Sequence, residues 1–218
     1  SLDVIKNSGT DILRLWAAHE DYSQDLSCNP ENFERLTETY RRLRNTVRFL
    51  LGNLYDYDPK DAIAYKDMTK LDQWALTKLN NLVALVTESY DRYEFYKIYH
   101  ALNTFVTVDL SSFYLDILKD RLYVRKKDGH MRRSAQTALY EITTTLSKLM
   151  APILSFLAEE TYQFTLGKKK ESIFLEKMPT LKKEWENTEI LKVFEVFAKM
   201  RTDVLKKLEE LRVQKVIG

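Results

Sequence analysis

What is scarce in this chain narrows its chemistry before any motif is sought. Its 218 residues hold a single cysteine, Cys28, which excludes an intramolecular disulfide and any zinc site built from several thiolates. His19, His100 and His130 are scattered, with no pair at metal-ligand spacing, so no metal site is expected. Five glycines and four prolines are too few for an all-β fold with its many tight turns, and no glycine-rich phosphate loop occurs. No apolar run approaches the roughly 18 residues that span a bilayer, and no signal peptide opens the chain. A cytoplasmic protein with no membrane partner is therefore expected. Acid pairs such as Asp116 with Asp120 and Glu159 with Glu160 read as solvated helix surface. No catalytic residue is assigned, which leaves a binding or docking module.

What is present is apolar residue content of 44%, a net charge of only +2 and long stretches with a period near 3.6, the pattern of an all-α helical bundle. With so small a net charge, attraction to nucleic acid has to come from local patches. Asn29 to Leu54 organises the rest. Phe33, Leu36, Tyr40, Leu43, Val47, Leu50 and Leu54 recur at spacings of three and four, which predicts a helix burying one side. Asn29 suits an N-cap, Pro30 the first helical position and Gly52 a left-handed stop.

At about 100° per residue, Arg41, Arg44 and Arg48 line up on the flank of that apolar stripe. No acid occurs between Arg41 and Asn53, so the row has no i,i+4 partner within its own helix. Two readings stand. Cations near a helix C-terminus complement its dipole by about 0.3–1 kcal/mol; alternatively, the row binds an anion, since a planar guanidinium grips phosphate or a base edge.

A short helix is predicted after Gly9, carrying Ile12, Leu15 and Trp16. The next long helix starts at Thr69 as N-cap with Asp72 three residues on, and another runs unbroken from about Glu94 to Leu122. Asp109 interrupts the apolar side of the latter and reads as a structural acid satisfied by a hydrogen bond. Further helices follow from about Arg133 to Met150, from Pro152 through Tyr162, and from Thr188 along Val193, Phe197, Val204, Leu208 and Leu211. Between Lys119 and Arg133 seven basic residues face two acids, an excess of five positive charges. That junction is either a solvated turn or a footprint on phosphate.

Gly9-Thr10-Asp11-Ile12-Leu13-Arg14-Leu15-Trp16 resembles the segment after the active-site signature loop in class I aminoacyl-tRNA synthetases of the isoleucyl, valyl and leucyl group. The runs Arg44 to Leu54, Asp109 to Tyr123, Arg133 to Tyr140, Leu149 to Phe156 and Lys215 to Gly218 are similar to its isoleucyl members. The similarity weakens between Lys168 and Asn187, where the family often has Trp before a proline and this chain has Met178-Pro179.

The resemblance implies that residues 1–24 end a connection from a catalytic domain. Residues 25–218 then form a helical anticodon-binding domain, with 168–187 a linker-like segment before the last helix. It implies recognition of the anticodon arm of tRNA(Ile), in a monomeric cytoplasmic enzyme whose catalytic domain, on the same polypeptide, attaches isoleucine using ATP. The His-Ile-Gly-His and Lys-Met-Ser-Lys-Ser motifs, the editing domain and the cysteine-rich zinc region of full-length enzymes are missing here. This stretch alone is therefore expected to be inactive and to hold no cofactor, with ATP and zinc belonging to the full-length enzyme. Arg41, Arg44, Asn45 and Arg48 are implied as contacts to splayed-out anticodon bases or their backbone, and Arg125, Lys126 and Lys127 as contacts to stem phosphates. Two other readings stay open: a structural or protein-docking module whose arginines pair with Glu88, Asp91 or Glu94, and the equivalent domain of a valyl or leucyl enzyme.

Overall fold

Helix caps and apolar periodicity set the element order α1 (Thr10–His19), α2 (Pro30–Gly52), α3 (Lys70–Asp91), α4 (Phe95–Thr104), a π-helical stretch (Phe105–Tyr114), α5 (Leu115–Tyr123), α6 (His130–Met150), α7 (Ser155–Gln163) and α8 (Thr188–Val213). This is a computed structural model, and it describes residues 5–6, 8–23 and 29–216. Cys28 and the closing Ile217-Gly218 lie outside the described residues. Among the described residues there is no strand.

α2 begins as its sequence dictates: the Asn29 side chain accepts from the Asn32 N–H at 2.9 Å, with Pro30 in the first position. Leu36, Leu43, Val47, Leu50 and Leu54 are buried. The stop differs from expectation. Gly52 is still helical, and Asn53 caps the end at φ −89° with its amide donating to the Phe49 carbonyl, so no left-handed residue is required. The Thr69 cap of α3 is as predicted, its hydroxyl accepting from the Asp72 N–H.

α3 and α6 form the centre of the bundle, with Leu76, Leu79, Val86, Leu139, Ile142, Leu146 and Leu149 fully buried. Between them lies a buried carboxylate. Asp72 has no exposed side-chain surface, and five donors converge on its carboxylate. Arg121 contributes Nη1 at 3.1 Å and Nη2 at 2.6 Å, Tyr114 its hydroxyl at 2.7 Å, Ser134 at 2.5 Å and Thr69 at 2.7 Å. Burying an unpaired carboxylate costs several kcal/mol, and this many hydrogen bonds offset it only while every donor is in place. Burial, then the charge of Asp72, hold the Tyr114 phenol protonated far above its ordinary range.

A second pair fastens α6 to the end of α2: Arg132 meets Asp56 at 2.7 and 3.0 Å, and Gln136 bridges Asp56 and the Asn53 carbonyl. The basic junction is thus smaller than its sequence implies. Arg121 and Arg132 are core struts, Arg133 donates to the Asp56 carbonyl and Gln136, and Lys119 pairs with Asp116 at 2.9 Å.

The helix expected to run unbroken from Glu94 to Leu122 is interrupted by the π-helical stretch. Its buried positions, Phe105, Val106, Leu110 and Tyr114, do not keep the regular spacing of three and four that a 3.6-residue turn needs to stay on the core. The wide turns keep Tyr114 pointing at Asp72. Asp109, half-buried, pairs with Lys78 at 3.1 Å, the structural role expected of it.

Segment 168–187 is packed against the bundle. Asn80 brackets the Lys182 backbone, donating to its carbonyl at 3.2 Å and accepting from its N–H at 2.9 Å. Ile173 and Trp185 are buried, and Ile173–Leu175 forms a 3-10 turn. α8 is capped by Asn187 rather than Thr188. It docks through Ile190, Leu191, Phe194 and Arg201, with Phe194 stacked on Trp74 at 5.6 Å. Val193, Phe197 and Val204, the expected buried stripe, are exposed. α8 is apolar on more than one side, so periodicity alone does not select the face that docks.

Two outcomes follow for stability. Arg121→Met leaves Asp72 buried without its cation and is expected to cost about 3–5 kcal/mol in denaturant unfolding. Hydrogen bonding by Arg132 lowers the Asp56 carboxyl below its ordinary 3.8, so this pair stabilises the fold above about pH 4 and the contribution is lost as pH falls through the lowered value. Asp56→Asn should therefore be less stable at neutral pH and show a shallower loss between about pH 5 and 3; unfolding midpoints across that range check both.

Candidate nucleic-acid interface

α2 carries the candidate residues because its stripe of core side chains leaves one flank open. At about 100° per residue, Arg41, Asn45 and Arg48 share a strip facing solvent, while Arg44 is turned about 60° from Arg41 toward α7. Arg41, Asn45 and Arg48 are exposed, and Arg44 is half-buried. None of the three forms an ion pair or side-chain hydrogen bond with another described residue.

Arg44 differs. Its Nη1 and Nη2 each donate to a Glu160 carboxylate oxygen at 2.7 Å, a two-pronged pair with side chains 39% and 47% exposed. Hydrogen bonds to Glu160 and then Tyr40 stabilise its protonated form further. The row has no i,i+4 acid within its own helix, yet Arg44 is paired, because the partner lies 116 residues away. Glu160, which reads from sequence as ordinary solvated surface, is that partner. Glu88 and Glu94, the acids suggested for the arginines, pair instead with Arg92 and Lys97.

α7 is held opposite α2 by α1. The buried Asp11 carboxylate accepts from the N–H groups of Phe156 and Leu157 at 3.2 and 2.8 Å, in the first turn of α7. Arg14 donates to the carbonyls of Ile153 and Pro152 at 2.8 and 2.6 Å, just before that turn. The Gly9–Trp16 run thus has a mechanical role: an acid caps a helix N-terminus whose free N–H groups carry partial positive charge. The Asp11 carboxyl is pushed up by burial, and its two backbone hydrogen bonds work against the shift.

Between α2 and α7 lies a cleft of about 410 Å³. Arg44, Glu160 and Arg48 supply its polar lining, Leu51 and Leu157 its apolar lining, and Phe164 stands beside it 68% exposed. Neither Glu160 nor Phe164 stands out in the sequence; a large aromatic just past the end of an amphipathic helix, off its apolar seam, is the available signal for the second. Charge and exposed ring beside one opening suit a flat, polar-edged group such as an unstacked base.

The other candidates, Arg125, Lys126 and Lys127, sit exposed in the turn between α5 and α6. Only a loose contact from Lys126 to Asp128, at 3.8 Å between side chains 82% and 70% exposed, tempers them. Once Lys119, Arg121, Arg132 and Arg133 are assigned to partners, these three form the cationic cluster of the junction. Among the described residues no group of three or more His, Cys, Asp or Glu is arranged to hold a metal ion. No helix among them is long and apolar enough to cross a membrane.

The bundle is similar to the LeuRS of Agrobacterium radiobacter K84, solved in a ternary complex with tRNA and LeuAMS, at a TM-score of 0.63 and 15% identity, covering 86% of this chain and 21% of that one. At that identity the likeness establishes the fold: an all-α bundle of the class that class I tRNA synthetases carry. A family model, the anticodon-binding domain of tRNA ligase, matches residues 72–218, and the chain belongs to that family. It is 49% identical over 218 residues to the isoleucine-tRNA ligase of Petrotoga mobilis, covering 99% of this chain and 24% of that protein. To that of Carboxydothermus hydrogenoformans it is 47% identical over 219 residues, covering all of this chain and 24% of that protein. The chain thus spans about a quarter of the length of the curated relatives it matches.

Asp11→Ala is expected to lower stability by about 0.5–2 kcal/mol, since it uncaps α7. The half-exposed Arg44–Glu160 pair should show a coupling of only about 0.2–1 kcal/mol in a double-mutant cycle, shrinking with added salt. Denaturant unfolding of Asp11→Ala, Arg44→Ala, Glu160→Ala and the double variant checks the ranking.

Proposed function

We propose that this chain is the part of an isoleucine-tRNA ligase that reads the anticodon arm of tRNA(Ile), holding the acceptor end in register with a catalytic domain on the same polypeptide. The observation that carries the reading is the unneutralised strip Arg41, Asn45 and Arg48 beside the α2–α7 cleft. Sequence-specific RNA recognition targets unpaired loop bases, which are gripped by guanidinium groups and aromatic faces. Helices supply a rigid mount for such contacts, and the Asp11 and Arg14 contacts fix the angle between the two that matter. The Arg125–Lys127 turn contributes attraction to stem phosphates that does not depend on sequence.

Isoleucine specificity for the tRNA rests on the 44–49% identity to isoleucine-tRNA ligases. ATP use belongs to the catalytic domain of such a ligase, and zinc to its cysteine-rich region. We assign the whole enzyme to the cytoplasm and to a monomer.

In the intact ligase, Arg48→Ala is expected to weaken binding of an isoleucine anticodon hairpin by about 1–3 kcal/mol if Arg48 contacts a base, with isoleucine adenylation nearly unchanged. Equal loss of both would mean damaged packing. Replacing Lys126 and Lys127 by Gln should flatten the dependence of log affinity on log salt by roughly one for each phosphate released, leaving the preference over a scrambled-loop hairpin intact.

A further inference from the structure

We propose that Glu160 is a specificity-determining residue: with Arg44 it forms a fixed acceptor–donor edge in the α2–α7 cleft that accepts an unstacked base bearing an exocyclic amino group and disfavours uracil. The inference rests on the anticodon-reading function proposed above and names what one part of that surface selects.

The geometry carries it. An ionised carboxylate offers about four acceptor positions on its two oxygens. Arg44 takes one on each oxygen, at 2.7 Å, which leaves acceptor capacity on a group whose side chain is 47% exposed. The two-pronged grip also fixes the plane of the carboxylate, so its free lone pairs point in set directions. Adenine, cytosine and guanine each present an amino group to such an acceptor. Uracil presents one ring N–H flanked by two carbonyl oxygens, and these are repelled by a carboxylate. A carboxylate accepting from a base amino group is an established mode of edge reading.

The neighbours complete the site. Phe164, beside the cleft and 68% exposed, offers a face on which a base stacks. Arg48, one helical turn beyond Arg44 and without a partner among the described residues, is placed beside that base, with its charge within reach of the flanking phosphate. Neutralising Arg44 has a second effect: Arg48 and Arg41 then supply the net positive charge of the strip. Loss of Arg48 therefore changes the salt dependence of binding, and loss of Glu160 changes base preference.

The test uses the intact ligase and a set of hairpins in which each loop position in turn is adenine, cytosine, guanine or uracil. At one position the unmodified protein is expected to bind the amino-bearing bases about tenfold more tightly than uracil. Glu160→Gln, which keeps the shape and loses the charge, should reduce that ratio toward one at that position alone. Phe164→Leu should weaken all four hairpins by a similar factor, leaving the ratio unchanged. Three results would overturn the proposal: an unchanged ratio in Glu160→Gln; tighter binding of every hairpin with a steeper salt dependence, which would make Glu160 only a mask over Arg44; or a lowered melting temperature that accounts for the loss. If the unmodified protein is indifferent to loop sequence and Arg48→Ala binds like it, the anticodon-reading function itself fails, and that outcome is distinguishable from failure at Glu160.

Discussion

A carboxylate with no access to water sits where four helical segments meet, and the bundle is arranged around its needs. Asp72 of α3 takes donors from the π-helical stretch, α5 and α6 as well as from its own cap. An apolar core tolerates sliding of one helix on another by a fraction of a turn. A charge with five directed partners does not, because removing any donor leaves a buried group exposed to its full desolvation cost. The pair between Asp56 and Arg132 repeats the device at the start of α6. α6 is thereby fixed to the end of α2, and the turn that follows α6 leads directly into α7.

The arginines divide by task according to this frame. Arg121 and Arg132 are consumed by buried acids, Arg14 by the carbonyls before α7, and Arg44 by Glu160 at the surface. Arg41 and Arg48 are left with their full charge facing solvent. Stiffness and stickiness are therefore supplied by the same residue type, and only the partner distinguishes the two. A chain with a net charge of +2 is able to hold a cationic strip this way, because its acids are mostly committed elsewhere.

Much of this is legible from residue order, and the rest is not for identifiable reasons. The seam of α2, its Asn29 cap and the Thr69 cap follow from local spacing, since caps and 3.6-residue periodicity act within one element. Core positions along α3 and α6 follow likewise. Arg121 and Arg132 read as part of a basic patch because their acids, Asp72 and Asp56, are 49 and 76 residues away. Glu160 is invisible for the same reason. The docked face of α8 is ambiguous because apolar residues occur on more than one side of it. Segment 168–187 looks like a linker because its anchors are isolated residues without helical spacing: Ile173 and Trp185 buried, Glu176 paired with Lys148, and the Lys182 backbone clasped by Asn80. The Gly9–Trp16 run is visible as a family likeness, while its physical purpose, capping α7 from a distance, is a property of the folded chain alone.

The π-helical stretch has a consequence for how this bundle tolerates change in length. Wide turns arise when a helix accommodates a surplus residue while both flanks stay in phase with what they pack on. Removing one residue between Phe105 and Tyr114 would let the coil tighten toward the ordinary pitch, with α4 and α5 still in phase with the core. The same deletion in α3 or α6 would turn everything beyond it by about 100°. Spare length is thus stored in one place, beside the surface formed by Asp109, Ser111 and Ser112.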